Sequence, residues 1–427
     1  MRHLHIHGNS SQSPFRRARF YLILIAALCH WMGTIEASDW PQFLGPARDG
    51  IYAGGDLARV WPKEGPPKLW EKKIGQGFSG PVVADGKLIL FHRLGDQETI
   101  HCFDATKGNQ LWTFQYATTY RDDFGSDEGP RATPTIADGK VFTFGAEGAL
   151  HCLDLATGKK IWSAHAKDQF ASPKGYFGMA CSPLVEGNHL LLNIGGENGS
   201  GIVAFDKNTG KLAWKATDHA AGYSSPVSTT IHGARHALFF TRSGLVTLDP
   251  EKGKLQSEFP FRARMQASVN AATPLVIDDL IFLSASYQVG AVVLALKEGN
   301  KLQKLWASDD SLSNHYATSV HQAGFLYGFH GRQEEGPSLR CVELKTGKVR
   351  WTHDPIPAGT IILADGFLLL VLEDGRLMLA PASADGFKPV AEAQVLSHGV
   401  RAHPALANGN LYARSKDKLV CLDLGKR

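Results

Sequence analysis

The sequence predicts an all-β protein, an eight-bladed β-propeller whose ring is closed by a strand from the N-terminal side. Two repeated patterns carry that prediction. The first is Asp-x-x-x-Gly-x-x-x-Trp, at Asp104/Gly108/Trp112, Asp154/Gly158/Trp162 and Asp206/Gly210/Trp214, with an acid change at Glu343/Gly347/Trp351. The second is a small-polar-Pro triplet before an alternating apolar run, as in Ser79-Gly80-Pro81 and Ala132-Thr133-Pro134. Units of about this length with four strands each are propeller blades.

The strands of one blade follow from local chemistry. Pro81, Pro134, Pro183, Pro226, Pro274 and Pro404 sit where a strand opens and a missing N–H donor costs little. Asp85-Gly86, Asp138-Gly139, Asp365-Gly366 and Asn408-Gly409 supply the positive φ angles of a two-residue hairpin. The third strand ends on the acid, a Gly turn reverses the chain, and the Trp starts an outer strand whose ring can cover the neighbouring sheet.

Opening triplets begin at Ser79, Ala132, Cys181, Ser224, Ala272, Ala317, Gly359 and Ala402, which gives eight blades. The last unit stops after its third strand, Val420-Cys421-Leu422-Asp423, and Leu69-Trp70 is the expected fourth. Closure of that kind removes the free sheet edges that template aggregation. Residues 38–427 are therefore expected to form a single propeller domain, since repetition around an axis escapes the usual size limit of one core.

Residues 1–37 read as an export signal. Arg16-Arg17-Ala18-Arg19 precedes the apolar run Phe20 to Leu28, which is short for a membrane span, and Ile35-Glu36-Ala37 offers a cleavage site. The expected location is periplasmic or secreted, with no transmembrane span after signal removal. Cys29 would be the site of a lipid anchor, although Leu28 is a poor residue to precede it.

The charge of the whole chain is +4, from 45 Lys and Arg against 41 Asp and Glu; without residues 1–37, which hold four Arg and one Glu, 41 face 40. No basic stripe remains for nucleic acid. A monomer is expected. Cys102, Cys152, Cys341 and Cys421 fall two residues before the acidic end of a third strand, one site repeated in four blades. They are expected to be buried thiols, because adjacent propeller sheets lie about 10 Å apart and a disulfide needs Cα atoms closer than about 7 Å. His101-Cys102 and His151-Cys152 are repeated strand residues on this register, and no metal site is assigned.

The blade signature, best seen from Asp154 to Trp162 and from Asp206 to Lys215, resembles the repeat of the pyrroloquinoline quinone (PQQ) family of propellers. The segment Asp39-Trp40-Pro41-Gln42-Phe43-Leu44-Gly45-Pro46, with Arg48-Asp49-Gly50, is similar to the opening of exported PQQ-like propellers of unassigned activity. The resemblance covers residues 39–425. It implies two kinds of relative, PQQ-dependent alcohol and glucose dehydrogenases and non-catalytic propellers of the outer-membrane assembly type. The dehydrogenases carry an adjacent cysteine pair and a calcium-binding acid set; no Cys-Cys occurs here, and no matching acids can be placed. Cys-x-x-Cys-His is also absent. PQQ with calcium is thus a cofactor of the rival reading, and a binding or scaffold role is the main one, with a protein or small anionic ligand as partner.

A ligand site is expected where each outer strand crosses to the next inner strand. Aligning the triplets brings Arg131, Tyr223, Tyr316 and Arg401, with Asn270 and His315 one residue earlier, around one axial funnel. Two arginines there suit a carboxylate or quinone. The acidic segment around Asp122, Asp123, Asp127 and Glu128 reads as a solvated crossover loop, and Gly195 to Gly201 as a flexible hairpin.

Overall fold

The fold is described from a computed structural model, covering residues 1, 3, 5, 38–266 and 268–426. The expected signal, its cleavage site and Cys29 lie outside the described residues, and residues 38–427 form one compact unit. Among the described residues, thirty-three strands assemble into eight sheets, seven of four strands and one of five. Each blade has a short inner strand (Val82–Ala84, Thr135–Ala137, Leu184–Glu186, Val227–Ile231, Leu275–Ile277, Val320–Gln322, Gly359–Ala364, Ala405–Ala407) and runs outward from it in chain order, except that the eighth takes its outermost strand from Lys68–Lys73. The expected hairpins are present: Asp85 and Gly86 have φ of 51° and 69°, and Asn408 and Gly409 have 51° and 75°.

Burial follows position in the blade. Middle strands such as Lys87–Leu94 and Phe367–Leu372 are buried almost throughout, which is why they read as unbroken apolar runs. Outer strands such as Gln110–Ala117 alternate between exposed and half-buried residues.

The Gly and Trp of the signature are two halves of one contact between blades. The ring of Trp112 lies over Gly158 of the next blade, where a Cβ would stand 2.5 Å from the ring, and Gly158 also has φ of 71°. Only glycine meets both demands. The indole N–H of Trp112 then donates to the Leu155 carbonyl at 3.0 Å. The same pairing joins Trp70 to Gly108, Trp162 to Gly210, Trp214 to Gly253 and Trp306 to Gly347. Ahead of each Gly, the acid caps its turn: Asp154 accepts from the Thr157 N–H and hydroxyl at 2.8 and 2.6 Å.

Trp70 closes the ring. Its strand, Lys68–Lys73, pairs antiparallel with Lys418–Asp423, and Trp70 stands opposite Cys421 as Trp112 stands opposite Cys102. The five cysteines among the described residues are buried and unpaired, and burial pushes the Cys102 and Cys421 thiols up to about 12.

One strand lies outside the expected pattern. Ile51–Tyr52 pairs in parallel with the inner strand Gly359–Ala364 and gives that blade its fifth strand.

Candidate functional site

The segment before the closing strand is a strap across one end of the propeller. Trp40 exchanges backbone hydrogen bonds with Val83, the Pro41 carbonyl accepts from the Ile136 N–H, and the Gly50 carbonyl accepts from Leu363, so the strap bridges the first, second and seventh blades. Between these anchors Arg48 enters the axis, 2% exposed. Its Nε donates to Gln42 at 2.8 Å, Nη1 to the Ser182 and Pro226 carbonyls at 3.2 and 2.9 Å, and Nη2 to the Thr135 hydroxyl at 3.3 Å and the Pro183 carbonyl. All five of its donors are spent on neutral groups, and burial lowers its pKa to about 10. The motif around Arg48 is thus an axial plug.

At the opposite end of the inner strands lies an open cavity of about 470 Å³. Arg131, Tyr223, His315, Tyr316 and Arg401 all line it, as the triplet alignment predicts. Asn270 is not part of the lining. It is fully buried, and its amide donates to the Thr241 and Phe261 carbonyls at 2.8 and 3.2 Å, holding two loops together. Alignment found its position but not its direction.

Both funnel arginines are held by carboxylates. Arg131 Nη2 donates to Asp122 Oδ2 at 2.6 Å, and the Asp122 side chain is 0% exposed. The acidic segment is therefore not simply a solvated loop, because it folds inward to supply this partner. Burial opposes ionisation of Asp122, but N–H groups of Ser126 and Phe124 and the Arg131 charge hold its pKa below the usual value. Arg401 Nε meets Glu373 Oε1 at 2.8 Å, and the Tyr316 hydroxyl donates to the same oxygen at 2.7 Å. Burial, followed by the Glu373 charge, keeps Tyr316 protonated well above its ordinary range. Phe78 lies between the arginines, its ring centroid 5.5 Å from Arg131 and 5.7 Å from Arg401.

Residues that the alignment missed complete the wall. Phe43 of the strap, Phe124, Phe177 and Tyr287 make it strongly aromatic, and Phe124 and Phe177 stack at 5.2 Å. Arg332 stands over Tyr287 at 4.8 Å, and His315 Nε2 is 2.8 Å from the Tyr287 hydroxyl. Deeper in the cavity lie Ser182, Ser225, Thr318, Thr360 and His403, the middle residues of five triplets. A hydroxyl at that place in successive triplets was visible in the sequence, although nothing there gave it a role.

The acids do not suit a calcium-bound quinone. Among the described residues no group of three or more His, Cys, Asp or Glu converges on a metal position, and Asp122 and Glu373 are each committed to an arginine. Glu334, the acid in the cavity lining, stands 3.5 Å from Arg332 Nε.

The sequence profile described as "Outer membrane protein assembly factor BamB" matches residues 96–353, more than half of the chain. The chain belongs to this family of PQQ-like β-propellers. The outer membrane protein assembly factor BamB of Burkholderia pseudomallei is 23% identical over 82% of this chain and 86% of its own length. The quinohemoprotein alcohol dehydrogenase of Comamonas testosteroni is 29% identical, but over 32% of this chain and 19% of the relative. Among solved structures, BamB from Moraxella catarrhalis superposes with a TM-score of 0.60 at 16% identity, covering 84% of this chain and 98% of that one. The Comamonas dehydrogenase gives 0.61 at 14% identity, covering 91% and 81%. At such identities the two superpositions report the fold alone.

Proposed function

We propose that the protein is an exported binding module whose ligand enters the axial funnel, and that it is not a quinoprotein dehydrogenase. The observation that carries this is the state of Arg131 and Arg401. Each is fixed by a buried or nearly buried carboxylate while still facing an aromatic cavity, so the site is pre-organised for recognition, and Glu334, the acid in the lining, lies 3.5 Å from Arg332 with no second acid beside it in that lining, among the described residues, to share a metal. Preformed, mostly apolar cavities with a few fixed polar groups are the usual form of small-molecule sites. Export rests on residues 1–37, and N-terminal sequencing of the protein recovered outside the cytoplasm checks it. The deciding experiment is calorimetric titration with PQQ and calcium together with dye-linked alcohol and glucose oxidation. No turnover is expected. Turnover that disappears in Arg131→Ala or Arg401→Ala would install the dehydrogenase reading instead.

A protein-binding reading is favoured by one observation, that the similarity to an assembly factor runs along nearly the whole of both chains whereas the dehydrogenase similarity is partial. The funnel mouth supports it with apolar side chains left open, Phe124 and Met265 being 61% and 53% exposed. Pull-down from an exported fraction with Phe124→Ser as control tests this reading, and identical recovery by both proteins would remove it.

A further inference from the structure

The floor of the funnel has more hydrogen-bond donors than the protein uses. Ser182 accepts the Thr133 N–H, Ser225 accepts the Ser182 N–H and Thr318 accepts the Thr273 N–H, each at 3.0 Å, so a belt of hydroxyls links neighbouring blades around the axis. As acceptors they are satisfied, but none of the three has a protein acceptor for its own proton among the described residues. Thr360 has no partner of either kind. All four residues are more than nine-tenths buried and line the cavity. Such groups are costly unless something accepts from them.

The charge beneath the belt points the same way. Arg48 donates to the carbonyl of Ser182 itself and to the Pro183 and Pro226 carbonyls one residue further along two inner strands. It forms no ion pair among the described residues, and the adjacent Asp49 carboxylate caps the Ile51 N–H at 3.0 Å. A full positive charge is thus buried within about one residue of the hydroxyl layer without a counter-ion, where the low dielectric extends its field.

We propose that the belt of Ser182, Ser225, Thr318 and Thr360, over the uncompensated Arg48, is an oxyanion site that takes the carboxylate of a small aromatic carboxylic acid. This rests on the funnel being the binding site and adds the ligand's class and orientation. The carboxylate accepts from the hydroxyls on the floor, and the ring lies against Phe43 and the aromatic wall. The rim arginines, already neutralised by their carboxylates, offer spare donors to the ligand at the mouth but do not hold its carboxylate.

The test uses benzoate and benzyl alcohol, which share a ring and differ in charge, titrated calorimetrically into the exported protein. Benzoate is expected to bind at least tenfold more tightly. Thr360→Val should weaken benzoate about tenfold and Thr360→Ser should restore it. Because the Thr360 hydroxyl has no partner to lose, the Val variant should unfold in urea no earlier than the parent, which separates a binding defect from a folding defect. Thr273→Val is the control: this hydroxyl is equally buried and unpartnered but is not part of the cavity lining, and benzoate affinity should not change. Equal affinity for the two probes would overturn the oxyanion floor and leave the binding funnel standing. Benzoate binding untouched by Thr360→Val but lost in Arg401→Ala would place the carboxylate at the rim and also overturn it. Failure of benzoate, benzyl alcohol and PQQ alike to bind would remove the funnel as a ligand site and this inference with it.

Discussion

The two ends of the axis employ the same side chain to opposite effect. At the strap, Arg48 spends every donor on backbone carbonyls, a hydroxyl and an amide, and is closed off from water. At the funnel, among the described residues, Arg131 keeps Nε without a protein partner and Arg401 keeps both Nη groups, with 33% of its side chain exposed. Spare donors beside a cavity belong to recognition, whereas exhausted donors in a dry interior belong to structure.

Removing the strap end altogether should have the largest effect. A chain beginning at Gly75 lacks the plug, the fifth strand of the seventh blade and the closing strand with Trp70, and it is expected to be insoluble or unfolded by circular dichroism. A soluble, fully β chain with the parent's urea midpoint would show that the strap is dispensable. Next, Arg48→Ala takes the guanidinium from the buried Ser182 and Pro226 carbonyls, while the Pro183 carbonyl keeps the Thr135 hydroxyl at 2.6 Å; it should cost about 3 kcal/mol in urea unfolding, whereas Arg48→Lys should recover part of that, because an ammonium cannot reproduce the fork. A loss below about 1 kcal/mol would mean that water replaces the guanidinium.

His403 lies between the two ends, stacked on Trp40 of the strap at 6.0 Å and lining the funnel floor. Burial lowers its pKa to about 4. The unfolded chain therefore binds the extra proton first as the solution is acidified, so the stability due to neutral His403 is complete above about pH 6.5 and is lost as the pH falls towards 4. At pH 5 that loss should be about 1–2 kcal/mol. His403→Gln should flatten this part of the pH profile, and an unchanged profile would assign the acid sensitivity to His92, His151 and His330, which burial also lowers.

The smallest effects are expected at the funnel. Arg131→Ala leaves Asp122 its Phe124 and Ser126 donors at 3.0 and 2.9 Å, so about 1 kcal/mol should be lost. Arg401→Ala leaves the nearly buried Glu373 the Tyr316 hydroxyl at 2.7 Å, so its cost should also be about 1 kcal/mol. Were Arg401→Ala to destabilise as much as Arg48→Ala, the division between a structural and a recognition end would fail.

The sequence disclosed what repeats. Blade number, hairpins, the packing of each Trp on the neighbouring sheet and the closing role of Trp70 follow from spacings that recur, because each blade solves the same packing problem, although that each ring lands on a Gly emerged only from the structure. It also placed five of six funnel residues, since the symmetry of the triplets fixes where their backbone lies. Direction was harder to read. Asn270 turns into its own blade, and Asp122 turns inward from a loop whose composition suggested solvent, because nothing local in the chain records which way a loop side chain faces. The strap was missed for the opposite reason. Ile51–Tyr52 and Arg48 occur once and make most of their contacts with residues distant in sequence, so no periodicity exposes them.

The closing strand has a consequence in time. Lys68–Lys73 is synthesised before any complete blade, yet its partner, Lys418–Asp423, is made only after seven blades have been. Seven blades can stack in order as they emerge, but the ring cannot lock until the eighth sheet has been made, and meanwhile an amphipathic strand bearing Trp70 must wait unpaired. Pairing across so long a loop is slow, and an open edge held in reserve invites association with other chains. Newly made molecules are therefore most exposed to aggregation, and most in need of a chaperone, in the interval before Trp70 meets Cys421.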